Sequence, residues 1–128
     1  MNRNIFNKSE TGWPQDVIPK LFGVVNSEIS RKYVKGFYIG RTTDPKRRYD
    51  EHGCDMMVLL YKIDSDENAM TIEENLIKRF TSHDKCRNEA ESGSGRIPQK
   101  ESGEVIYLCL FCDKSDQEFL MRLLEEAK

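Results

Sequence analysis

The chain has no apolar run approaching the roughly 18 residues of a membrane-spanning helix, so no membrane partner is expected. Its first residues, Met1-Asn2-Arg3-Asn4, lack the apolar core of a signal peptide, which sets the expectation of an intracellular protein, cytoplasmic or nuclear. Cysteine is scarce. Four in 128 residues are few for a disulfide scaffold, and in a reducing compartment they are expected as thiols. There is no internal repeat. Positive charge is not in surplus either: a net charge of −2 and a pI near 5.8 argue against a general nucleic-acid binder.

What is present is an ordinary composition, 38% hydrophobic and 33% charged, that suits one domain over 1–128 with one core. The charge is unevenly placed. Residues 1–52 hold ten Lys/Arg against six Asp/Glu, while residues 53–128 hold ten against sixteen. The basic excess gathers in Arg31, Lys32, Lys35, Arg41, Lys46, Arg47 and Arg48. A solvated charged face accounts for such a cluster; so does a surface for phosphates.

Turn signals at Gly12-Trp13-Pro14 and Pro19 bracket a short helix around Gln15–Lys20. Leu21–Asn26 and Lys35–Arg41 read as two strands of an antiparallel hairpin, because the polar loop between them is short. Asp44 is a good N-cap and Pro45 fits the first helical position, predicting a two-turn helix to His52 that stops at Gly53. Met56–Ile63 has strand length. Ser65 or Asp66 caps a longer helix to about Thr81. Residues 91–104 read as a flexible loop, Val105–Cys112 as a fourth strand, and Ser115-x-x-Glu118 as the capping box of a last helix buried through Phe119, Leu120, Leu123 and Leu124. The predicted fold class is α/β, a small α+β sandwich with helices on a mainly antiparallel sheet of three to four strands.

Within the second predicted helix, Glu73 has Ala69, Met70, Leu76 and Ile77 as its helical neighbours, so it points along the apolar stripe, while Glu74 turns to solvent. A buried carboxylate needs a cation or donors. A Glu–Arg pair, a metal ligand and a general acid or base all satisfy that need. A zinc reading is also available, since His83, Cys86, Cys109 and Cys112 supply the ligand count and His52 with Cys54 offers a weaker pairing. Residues three apart on a strand face opposite sides, so structural zinc is not expected at Cys109 and Cys112.

Tyr38-Ile39-Gly40, followed by Thr42, Asp44, Arg48 and His52, then Ala69-Met70-Thr71-Ile72-Glu73 and Glu73-Glu74-Asn75-Leu76-Ile77-Lys78, and finally Asn88, resembles the GIY-YIG nuclease superfamily over about residues 21–90. The first half of the motif is best matched by Gly23-Val24-Val25, with valine in place of the tyrosine. The resemblance implies metal-assisted hydrolysis of DNA. Glu73 would ligate a single Mg²⁺ or Mn²⁺. Tyr38 would orient or deprotonate the attacking water, a task that needs positive charge nearby to lower a phenol pKa of about 10. Arg41 and Arg48 would supply it, with Arg48 also gripping the phosphate.

For His52 a phosphate contact, proton transfer and a structural hydrogen bond remain alternatives, and Asn88 would fix geometry near the site. Lys35, Arg41, Lys46 and Arg47 would contact DNA, double-stranded or branched, in a salt-dependent way. Targeting would rest on a protein partner or a homo-oligomer. Because Val25 replaces a tyrosine, the other expectation is a catalytically weakened module that binds nucleic acid or a protein partner.

Overall fold

Apolar spacing decides the first third of the chain. Val17, Leu21, Val25 and Ile29 recur every four residues and all are buried, which is a helical stripe and not the alternation of a strand. The structure, a computed structural model, describes residues 4–88 and 105–126. In it a single helix, α1 (Pro14–Ile29), replaces both the short helix and the strand predicted over Leu21–Asn26. The hairpin is therefore corrected. Pro19 and Gly23 read as punctuation, yet Pro19 is carried inside the helix, and a Cβ on Gly23 would meet nothing within 4 Å. A strand absent from the sequence reading, β1 (Ile5–Glu10), precedes the helix; Phe6 is its one buried residue, so it has no alternating signature.

From there the local signals hold as far as β4. The elements are β2 (Val34–Thr42), α2 (Pro45–His52), β3 (Met56–Lys62), α3 (Asp66–Phe80), β4 (Val105–Cys112) and α4 (Gln117–Glu126). The Asp44 carboxylate accepts from the Arg47 N–H at 3.1 Å and Gly53 takes a left-handed φ of +69°, which start and stop α2. Ser65 Oγ accepts from the Asn68 N–H at 3.1 Å to start α3. At α4 the cap is Asp116, whose carboxylate accepts from the Glu118 N–H at 2.8 Å, while Ser115 is bonded to Asp113. The loop expected over 91–104 lies outside the described residues.

The four strands lie in the order β1-β3-β4-β2, with β1 parallel to β3 and the other pairings antiparallel. Among the described residues four helices accompany this sheet, an α+β sandwich as expected. Strand alternation sorts the side chains cleanly. Phe37, Ile39, Val58, Leu60, Ile106, Leu108 and Leu110 join residues of α1 and α3 in the main core. Tyr38, Met57, Leu59, Tyr107 and Cys109 face the other way, beside Tyr49 of α2. The face of α4 is corrected. Phe119 and Arg122 are buried, but Leu120 and Leu124 are 48% and 64% exposed, because Arg122 is drawn inward by Glu28 and Tyr33. No helix among the described residues is long and apolar enough to cross a membrane.

Candidate functional site

β2 is an outer strand, and its residues leave it on alternate faces. On the α2 face the register sets Tyr38 opposite Cys109 and Gly40 opposite Tyr107. The Tyr107 ring stacks on Tyr38, centroids 6.3 Å apart and planes 29° apart, and the His52 ring stands 4.8 Å from Tyr38. His52 Nε2 and the Tyr107 hydroxyl are hydrogen-bonded at 3.0 Å, the donor being set by the imidazole tautomer. Gly40 is needed here: a Cβ would stand 2.6 Å from the Tyr107 oxygen and 2.9 Å from the Tyr38 ring. Burial, reinforced by the charge of Arg48 and opposed by Glu51, lowers the His52 pKa below its ordinary 6.5, so the imidazole is neutral at pH 7.

On the opposite face, Arg41 Nε lies 3.7 Å from Glu73 Oε1, and both side chains are almost closed off, at 8% and 6% exposure. Buried Glu73 Oε1, Arg41 Nε and Arg41 Nη1 have no hydrogen-bond partner. Burial pushes the Glu73 carboxyl up to about 7, Arg41 opposing and Glu74 adding to the rise. The stripe argument thus placed Glu73 correctly, and the cation waiting for it is Arg41.

The strand between these two groups is held from outside. The Phe37 N–H donates to Lys85 O (2.9 Å), and the Arg87 N–H donates to Phe37 O (2.8 Å). Asn88 then pairs with the next outward position as a strand would: its Nδ2 donates to Ile39 O (2.8 Å), and its Oδ1 accepts from the Ile39 N–H (2.9 Å). Asn88 fixes the strand that carries Tyr38 and Arg41, and both ends of its amide are engaged in doing so.

The expected residues therefore fall into two groups. Tyr38 and His52 meet, with Arg48 close enough for its charge to act on His52; Arg41 and Glu73 meet on the other face. Lys46 and Arg47 are exposed on α2, paired with Asp50 and Glu51 at 3.8 Å each, and Lys35 is exposed at the far end of β2, where its charge acts on Asp113. Val25 is core of α1, so Gly23-Val24-Val25 cannot be the companion strand of Tyr38. Tyr33 does not replace it: its hydroxyl accepts from Arg122 Nη1 at 3.0 Å inside the core.

The sequence reading missed Tyr107. Its one visible signal was a phenol within the otherwise apolar Val105–Cys112 run. The expectation of thiols is also corrected for two cysteines. Cys54 and Cys109 form a disulfide, Cα atoms 5.7 Å apart, which takes Cys109 out of the C-x-x-C and Cys54 out of its pairing with His52. Cys86 and Cys112 are free, and among the described residues no three His, Cys, Asp or Glu side chains cluster as a metal site. Comparison with family models, with curated proteins and with solved structures gives no match.

Proposed function

We propose that the protein is a divalent-metal-dependent endonuclease that hydrolyses DNA phosphodiester bonds through a GIY-YIG-like site. The observation that carries the reading is the Tyr38–Tyr107–His52 cluster. The resemblance calls for two tyrosines; β4 supplies the second, Tyr107, in place of Val25. β2 is the outer strand of the sheet and carries groups on both of its faces, Tyr38 on one and Arg41 on the other. Arg48 grips the phosphate on the α2 face as negative charge develops, and Arg41 sets the charge beside Glu73. The Tyr38 and Tyr107 hydroxyls order the attacking water. Neutral His52, in the tautomer with Nδ1 protonated, takes the Tyr107 proton at Nε2.

Glu73 Oε1 is buried, accepts no hydrogen bond and faces Arg41 Nε at 3.7 Å, and it would be the one carboxylate that holds a hard cation, which characteristically takes one or two carboxylates and keeps several waters. Bound there, Mg²⁺ or Mn²⁺ would supply Lewis-acid polarisation of the phosphate.

Plasmid nicking with Mg²⁺ or Mn²⁺ tests this reading. The parent should nick. Glu73→Gln and Tyr107→Phe should each lose about 100-fold or more, ~3 kcal/mol of barrier. Nicking that survives Glu73→Gln unchanged would sink the mechanism. One observation favours the second reading, a catalytically weakened module that binds nucleic acid or a protein partner: the Glu73 side chain is 6% exposed and lies beside Arg41. DNA binding without cleavage under any metal selects that reading.

A further inference from the structure

Helix α2 is eight residues long and none of its residues is buried. Apolar burial seats α1 and α3 on the sheet. It does little for α2, whose position depends on discrete ties. Its start is fixed locally by the Asp44 cap. Its middle is tied through Tyr49, whose hydroxyl donates to Asp55 O at 3.3 Å and accepts from Asn4 Nδ2 at 3.2 Å. Its end is His52, followed by left-handed Gly53 and then Cys54, whose sulfur is bonded to Cys109 of β4. Cys109 and Tyr107 are two apart on β4 and therefore share a face. A closed ring results: His52, Gly53, Cys54, the disulfide, Cys109, Leu108, Tyr107, and the 3.0 Å hydrogen bond back to His52.

We propose that the Cys54–Cys109 disulfide is a redox-sensitive clasp that seats His52 against Tyr107, so that a dithiol reductant loosens this side of the site. The effect on His52 stands on the geometry alone; any effect on DNA cleavage rests on the endonuclease reading. Cys109 is fully buried and Cys54 is 5% exposed, so the proposed exchange starts at Cys54. A thiolate of the reductant bonds to Cys54 Sγ as the Cys54–Cys109 bond breaks and Cys109 leaves as thiolate. The reductant's second thiol then displaces Cys54. Two electrons and two protons pass to the protein, giving two thiols, and the reductant becomes a disulfide. With the clasp open, the last turn of α2 is free to swing off β4 and the imidazole gains water.

The groups facing His52 are Arg48 and Glu51 on its own helix, Tyr107 on β4 and Tyr38 on β2. Proton NMR titration of the full chain can follow the site directly, because the chain has two histidines and His83 packs against Phe37 on the α3 side. In the oxidised protein, thiol titration in denaturant should find two thiols, Cys86 and Cys112, and dithiothreitol should raise the count to all four. The His52 midpoint should then rise towards 6.5. Cys54→Ser, folded by circular dichroism, should show the reduced-state midpoint with or without dithiothreitol.

Three results would overturn the clasp. One is a His52 midpoint that is the same at two and at four thiols. Another is four thiols that persist under oxidised glutathione. The third is a His52 shift that comes only as circular dichroism is lost, which would make the bridge a staple of the whole fold. Nicking assayed on the same samples separates the two readings. A His52 shift with no cleavage in either state supports the clasp and removes the endonuclease.

Discussion

Arg122 meets Glu28 with two hydrogen bonds of 2.9 and 2.8 Å, and its Nη1 donates also to the Tyr33 hydroxyl at 3.0 Å. Arg41 and Glu73, just as deeply buried, approach only to 3.7 Å and leave three polar atoms without partners. The first pair ties α1 to α4 and has the bidentate geometry that offsets the desolvation of both charges. The second leaves desolvation unanswered, which is why Glu73 is pushed up to about 7. A folded chain rarely leaves buried polar atoms unsatisfied without reason. The complete pair reads as architecture, and the incomplete one is where the proposed cation would sit.

The largest effect should come from breaking the complete pair. Glu28→Ala takes the carboxylate away from the buried Arg122 guanidinium, and should destabilise by about 3–5 kcal/mol in urea unfolding. The double change Glu28→Leu with Arg122→Met should recover most of that loss, since no charge is then stranded. If Glu28→Ala is neutral, the two pairs do not differ as their geometry says.

The incomplete pair should reveal itself through pH. Glu73 has its folded pKa raised from 4.5 to about 7 and so binds a proton more tightly when folded. Its stabilising contribution is full below pH 4.5 and is lost as pH rises through about 7, a change of up to roughly 3 kcal/mol. His52, with a lowered pKa, acts in the opposite sense and loses stability as pH falls below its ordinary 6.5. The difference between parent and Glu73→Gln isolates the carboxyl. The parent should lose stability relative to the variant between pH 4.5 and 7, and a flat difference curve would place Glu73 in a wetter setting than its burial indicates.

Gly40→Ala touches neither pair but crowds the phenols on the α2 face of β2. A Cβ 2.6 Å from the Tyr107 oxygen should cost about 1–3 kcal/mol and break the contact with His52, visible as a rise in the His52 midpoint. The smallest effect belongs to an exposed pair on α2. Arg47 and Glu51 sit 3.8 Å apart with about half of each side chain in water, so Arg47→Ala should change stability by less than ~0.5 kcal/mol. If Arg47 contacts DNA, the same change should weaken binding at low salt and flatten its salt dependence.

How legible these features were depended on the range of the interactions behind them. Asp44, Pro45 and Gly53 announced α2, Ser65 or Asp66 announced α3, and both were found because a cap acts within one turn. Glu73 was found on its buried stripe for the same reason: helical periodicity is local. α1 was misread because Pro19 and Gly23 look like breakers, and the packing of Val17, Leu21, Val25 and Ile29 overrode them. Thiols were expected at Cys54 and Cys109 because scarcity speaks of compartment and not of distance. Their Cα atoms, 55 positions apart in sequence, are brought to 5.7 Å by β4 packing beside the end of α2.

The amino-acid order by itself determined the caps of α2 and α3, the strand at β2, and which carboxylate would be buried, since each follows from contacts within a few residues. Only the tertiary structure decided which tyrosine stands beside Tyr38. That choice is made by the register of β4 on β2, where Tyr107 falls opposite Gly40 and fills the space that the glycine leaves. Register is fixed by burying Ile106, Leu108 and Leu110 against the helices on the far face. The candidate site is thus assembled by packing that takes place on the other side of the sheet.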